Sequence, residues 1–192
     1  MADERDEQVD DGSVGDLPAT EEPVGDPTGI LEFWERARFR AKVSRLPEVT
    51  GPGVAGSLVP QAWSFGDSPA LADELVGLVL HGRKTATSAA LVEYEATGEP
   101  VPRRGDLSIV LDGEGRPAAL VRTTAVRRAR FADVDAEHAA AEGEDDMTLA
   151  SWRREHERYW RRVLPGLGAE LSDDTELVLE TFELLYPRST DR

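Results

Sequence analysis

Apolar positions recur at helical spacing in several stretches of this chain and run without interruption in two others. Residues 29–46 set Ile30, Leu31, Trp34, Ala37 and Val43 along one side, with Arg36, Arg40 and Lys42 elsewhere, which predicts an amphipathic helix. Residues 47–62 are broken by Pro47, Gly51, Pro52, Gly53, Gly56 and Pro60 and read as a long loop leading into Trp63-Ser64-Phe65-Gly66-Asp67. Asp67 or Ser68 then offers an N-cap and Pro69 suits a first helical turn. Leu71, Leu75, Leu78 and Val79 form the stripe of this helix, and Gly82 supplies its stop. Residues 86–94 fit either strand or helix. They are read as a strand, because Thr85 and Thr87 favour extended backbone.

Further along, Leu107 to Leu111 reads as a buried strand, and Asp112-Gly113 with Gly115 as a hairpin turn. A second strand follows through Ala119, Leu120, Val121, Arg122, Thr123 and Val126. Asp133 or Asp135 can cap a short helix through His138 and Glu142 that ends at Gly143. A further helix over 148–164 carries Leu149, Trp152, His156, Tyr159, Trp160 and Val163, and residues 176–186 close the chain as a strand. The pattern predicts an α+β domain whose strands form a small, strongly bent, mixed or antiparallel sheet.

Charge divides the 192 residues into two parts. Of the formal charge of -16, -9 belongs to residues 1–30, which hold ten Asp or Glu against the single Arg5. With no apolar periodicity, that segment cannot bury enough surface to offset the entropy of ordering, so residues 1–28 are read as a disordered acidic tail and 29–188 as the folded domain. The absence of Cys excludes disulfides, thiolate metal sites and a cysteine nucleophile. No apolar run reaches membrane-span length, and the acidic amino terminus does not resemble a secretory signal, so a cytoplasmic protein is expected. Three His at no metal-binding spacing give no zinc site; Glu142, Glu144 and Asp146 would at most hold a divalent ion weakly.

Candidate chemistry centres on Gly82-Arg83-Lys84-Thr85-Ala86-Thr87. The chain uses twenty Arg and only two Lys, yet places Lys84 here. A lone Lys would complement the helix carbonyls just before it, but unlike Arg it is also a compact, tunable amine. Together with Gly105-Asp106, His138-Ala139-Ala140-Ala141-Glu142-Gly143, the Trp63 to Asp67 segment and the Trp152–His156 spacing, this signature resembles the ASCH domain family, related to the PUA domains of RNA-modifying proteins, over roughly residues 60–186. The resemblance implies a PUA-like small β-barrel with surrounding helices and a cleft near Lys84. It also implies RNA-related activity: some members remove the acyl group of N4-acetylcytidine, and a single-strand ribonuclease activity has been assigned to another. The amidohydrolase type uses a Lys, a Thr three residues later and a distant Glu, which fall on Lys84, Thr87 and Glu142. Trp63, Arg83, Thr85, Tyr94 and Arg122 are the candidate substrate-binding residues.

Amide cleavage needs a nucleophile, a base and a partner for the developing oxyanion. A desolvated, neutral Lys84 would serve as base for Thr87. If Glu142 instead touches Lys84, Glu142 is the base and Lys84 the electrostatic partner. The sequence leaves both open. The expected partner is a small nucleoside-like substrate or single-stranded RNA, the latter suggested by Arg103-Arg104 and Arg127-Arg128, and no cofactor is implied. A protein-interaction module with a degenerate cleft is the third reading.

Overall fold

The computed structural model describes residues 26–43 and 59–187. Five strands, β1 (Gln61–Ser64), β2 (Ala86–Ala90), β3 (Leu107–Leu111), β4 (Pro117–Arg130) and β5 (Glu176–Tyr186), form one sheet in the order β1-β3-β4-β5-β2. β1 runs parallel to β3 and every other pair is antiparallel. The long strand β4 binds this sheet together, pairing β3 along its first half and β5 along nearly all its length. Register shifts at Val110/Leu111, Leu120/Val121 and Thr123/Ala125 bend it. The result is a curled half-barrel with helices around it, the α+β architecture expected.

Five helices pack on this sheet: α1 (Pro27–Arg40), α2 (Pro69–Leu80), α3 (Leu91–Thr97), α4 (Ala136–Glu142) and α5 (Leu149–Val163). Successive residues of β3 point to opposite faces. Ile109 and Leu111 join Phe33, Trp34 and Ala37 of α1, whereas Val110 joins Leu75, Val76 and Val79 of α2. Both faces of β3 are therefore covered where it is buried, which is why Ile109, Val110 and Leu111 are apolar in succession. A third cluster seats Trp152 and Trp160 of α5 against Phe131, Leu177 and Leu179.

Several expectations shift. α1 begins at Pro27, capped by the Asp26 carboxylate, and places Phe33 rather than Leu31 in the core; Leu31 is half exposed. The predicted end of that helix past Val43, most of the 47–62 loop and nearly all of the acidic tail lie outside the described residues. Gln61 and Ala62, read as loop, belong to β1. The strand read over 86–94 stops at Ala90, where Glu93 accepts a hydrogen bond from the Ala90 N–H (2.5 Å) and opens α3. Ser68, not Asp67, caps α2, and Asp135 caps α4.

Candidate active site

The signature stretch owes its shape to two glycines. Gly82 leaves α2 at φ +72°, and the next two amides, Arg83 N–H and Lys84 N–H, both donate to the Leu78 carbonyl at 2.9 and 3.2 Å. Gly143 ends α4 at φ +71° directly against this turn; a Cβ there would come within 2.3 Å of the Arg83 carbonyl oxygen and 3.0 Å of the Lys84 nitrogen. The Thr85 N–H and hydroxyl both donate to the Ala141 carbonyl, at 2.8 and 3.2 Å. The last turn of α4 is thus docked on residues 83–85, which brings Glu142 to Lys84 across 58 positions of sequence.

Lys84 and Glu142 are 2% and 1% exposed. The Lys84 ammonium donates to Glu142 Oε2 (3.3 Å) and Glu144 Oε1 (2.5 Å) and lies 5.1 Å from the centre of the Phe65 ring. Glu142 collects further donors: Ser88 Oγ (2.5 Å) and Trp152 Nε1 (2.8 Å) reach Oε1, with His138 Nε2 at 3.2 Å, and His156 Nε2 stands 3.5 Å from Oε2. Ser88 Oγ also lies 2.9 Å from His138 Nε2, and the His156 ring stacks on Trp152 at 4.2 Å. Burial alone would raise the Glu142 pKa, but Lys84, His138 and His156 overcome it and hold the carboxyl well below the usual carboxylate range. For His156, burial works downward and is outweighed by Glu142, then Glu144, so its pKa rises above 6.5.

This cluster forms one end of a cleft of about 1280 Å³ that opens where the half-barrel is unclosed, between the two edge strands β1 and β2. Lys84, Thr87 and Glu142 all line it, as do Ser88, Glu144 and His156. Trp63 and Tyr94 also line it, with Trp63 edge-on to Phe65 at 4.6 Å. Arg83, Thr85 and Arg122 do not. Arg83 and Thr85 spend their backbone on α2 and α4 and their side chains are exposed. Arg122 lies beside a second, smaller cavity and donates to Glu183 at 2.5 and 2.9 Å. Ten carboxylates line the cleft, and its cations are already paired: Lys84 as above, Arg158 with Glu155 (2.7 Å) and Arg162 with Asp67.

Among the described residues no group of three or more Asp, Glu and His is arranged to hold a metal ion. Glu142 and Glu144 converge on the Lys84 ammonium, and Asp146 turns away to accept from Thr148. The sequence reading missed Ser88, His138 and Glu180 as cleft or cluster members, and gave His156 only a packing role. His138 and Glu142 stand four apart on α4 and so share a face, a spacing that could have linked them. Ser88 falls on the same side of its strand as Ala86, one residue past the motif's end.

The family model for the ASCH domain matches residues 61–186, which span every strand and this whole cluster. The chain belongs to the ASCH domain family. Its fold is shared with the crystal structure of an ASCH domain from Lactobacillus crispatus, 29% identical over 80% of this chain and 96% of that one, with a TM-score of 0.67. An Enterococcus faecalis protein of known crystal structure is 32% identical over 83% of this chain and 91% of that one, with a TM-score of 0.69. No curated protein matches. In this ASCH domain protein α1 precedes the matched region yet fills the same core, its Trp34 fully buried. No helix among the described residues is long and apolar enough to cross a membrane.

Proposed function

We propose that this ASCH domain protein hydrolyses the amide of a compact nucleobase derivative, an N4-acylated cytidine being the reference substrate. The carrying observation is that Lys84, Thr87 and Glu142 line one cleft, where the buried Lys84 ammonium is fixed between two carboxylates. An ammonium whose protons point at Glu142 and Glu144 has no lone pair to give, so Lys84 acts on the developing oxyanion and not as the base. Glu142, held ionised by so many donors, is a weak proton acceptor and serves to position Lys84, Ser88 and His156. Glu144, with 28% of its side chain exposed, is the carboxylate open to the cleft.

The reaction then runs in two steps. The Thr87 hydroxyl attacks the acyl carbon and gives its proton to Glu144; the proton passes to the departing nitrogen as the C–N bond breaks, leaving the acyl group as an ester on Thr87. Water cleaves that ester, restoring the hydroxyl. The acidic lining and paired cations favour a substrate without phosphates over an RNA strand. The Arg pairs that suggested RNA are also partly engaged, Arg127 with Asp135 (2.6 Å) and Arg128 with Glu176 (3.7 Å).

Pure protein incubated with N4-acetylcytidine is expected to release cytidine and acetate by chromatography. Thr87→Ala and Lys84→Ala should each lower kcat at least about a hundredfold, the order lost with a nucleophile or oxyanion donor. Cytidine release by both variants at the wild-type rate would remove the proposal.

A further inference from the structure

Of the cleft carboxyls that the proposed reaction does not use, one is buried. Glu180 lies on β5, is 7% exposed, and lines the cleft. The Thr123 hydroxyl donates to its Oε1 at 2.6 Å, the one hydrogen bond to its carboxyl among the described residues. No fully buried polar side-chain atom of the described residues lacks a partner, so Oε2, which has none, keeps some access to solvent in a residue that lines the cleft. The titratable groups facing it are Asp106, from the loop before β3, and Tyr94, from α3; no cation pairs with it. Burial first, then Asp106, raise its pKa against the pull of Thr123, and Tyr94 is itself pushed up to about 12. Glu180 is also the cross-strand partner of Thr87. Such partners stand about 4.5–5.5 Å apart at their Cα atoms, within one pyrimidine ring of each other.

We propose that Glu180 is a specificity-determining residue by which the cleft prefers cytosine-type over uracil-type bases. Thr123 commits Oε1 to accepting, so once protonated the carboxyl offers its hydrogen from Oε2. A ring nitrogen with a free lone pair, as at N3 of cytosine, completes that bond; the N3–H of uracil opposes it. Bound in this way, the ring presents its exocyclic N4 substituent toward Thr87. The inference rests on the reading of the cleft as a nucleobase site, and a binding measurement separates the two.

Calorimetric titration of the full chain with cytidine and with uridine from pH 5 to pH 9 is the test. The wild type should bind cytidine about tenfold or more tightly than uridine at the acid end, since an opposed hydrogen bond leaves buried groups unpaired. That ratio should narrow as pH rises and Oε2 loses its hydrogen. Glu180→Gln, whose amide still accepts from Thr123 and donates into the cleft, should keep the ratio across the pH range. Glu180→Ala should abolish it at every pH, with circular dichroism verifying the fold. Equal affinities in the wild type at pH 5, binding of neither nucleoside, a preserved ratio in Glu180→Ala or a falling ratio in Glu180→Gln each overturn the proposal. A cytidine preference without N4-acetylcytidine turnover removes the hydrolase reading and leaves the role of Glu180 standing.

Discussion

At the scale of single residues, Glu142 decides the electrostatics of the site. It is an acceptor only, and its two oxygens gather Lys84, Ser88, Trp152, His138 and His156 at 2.5 to 3.5 Å. Replacing it removes the compensation for a buried ammonium, so Glu142→Gln should destabilise the fold by about 3 kcal/mol or more in denaturant unfolding. The pH dependence has a definite sign. The Glu142 contribution is present above its unfolded value of 4.5 and disappears only as pH falls through a folded value well below that. The His156 contribution is complete below 6.5 and is lost as pH rises through its higher folded value. The stability gap between wild type and Glu142→Gln should therefore be widest between about pH 4.5 and 6.5 and narrower at pH 9. A gap that widens toward alkali would contradict the charge assignment.

At the scale of elements, the contact that matters is α4 against the turn after α2. Gly143 meets both requirements that favour glycine, a positive φ and a backbone neighbour 2.3 Å from where a Cβ would stand. Gly143→Ala should cost about 2–4 kcal/mol from the two effects together. By pushing α4 off Arg83 it should also lower turnover more than a surface change of equal stability cost, read as the ratio of kcat to residual folded fraction. This docking explains what the sequence could and could not reveal. Gly82, Ser68, Pro69 and Asp135 act locally, and the ends of α2 and α4 followed from them. β1 is four residues beside Pro60 and exists through parallel pairing with β3, a partner more than forty positions away, so no local pattern announces it. α3 buries no residue fully and starts where Glu93 reaches back, which left 86–94 looking like one strand. Lys84 stood out through composition and Glu142 through resemblance, whereas Glu180 was hidden in a strand of Leu, Val and Phe.

For the whole molecule, the folded part and the tail share the acidic bias, and the cleft concentrates it. A neutral nucleoside should therefore bind with little change between 50 and 500 mM salt. Its 5′-phosphate should bind at least about tenfold more weakly at low salt, the gap closing as salt screens the repulsion. Equilibrium competition at the two ionic strengths measures both. Tighter, salt-sensitive binding of the phosphate would indicate an RNA strand as the natural occupant.

The two strands flanking the cleft stand at opposite ends of the sheet order and share no hydrogen bonds. On the proposed reading, substitutions along Gln61–Ser64 would reshape one side of the cleft for a longer or shorter acyl group without touching Lys84, which lies just before the opposite strand. On that reading chemistry and substrate size fall to separate stretches of polypeptide, so a lineage built on this scaffold would be free to change its diet while keeping its teeth.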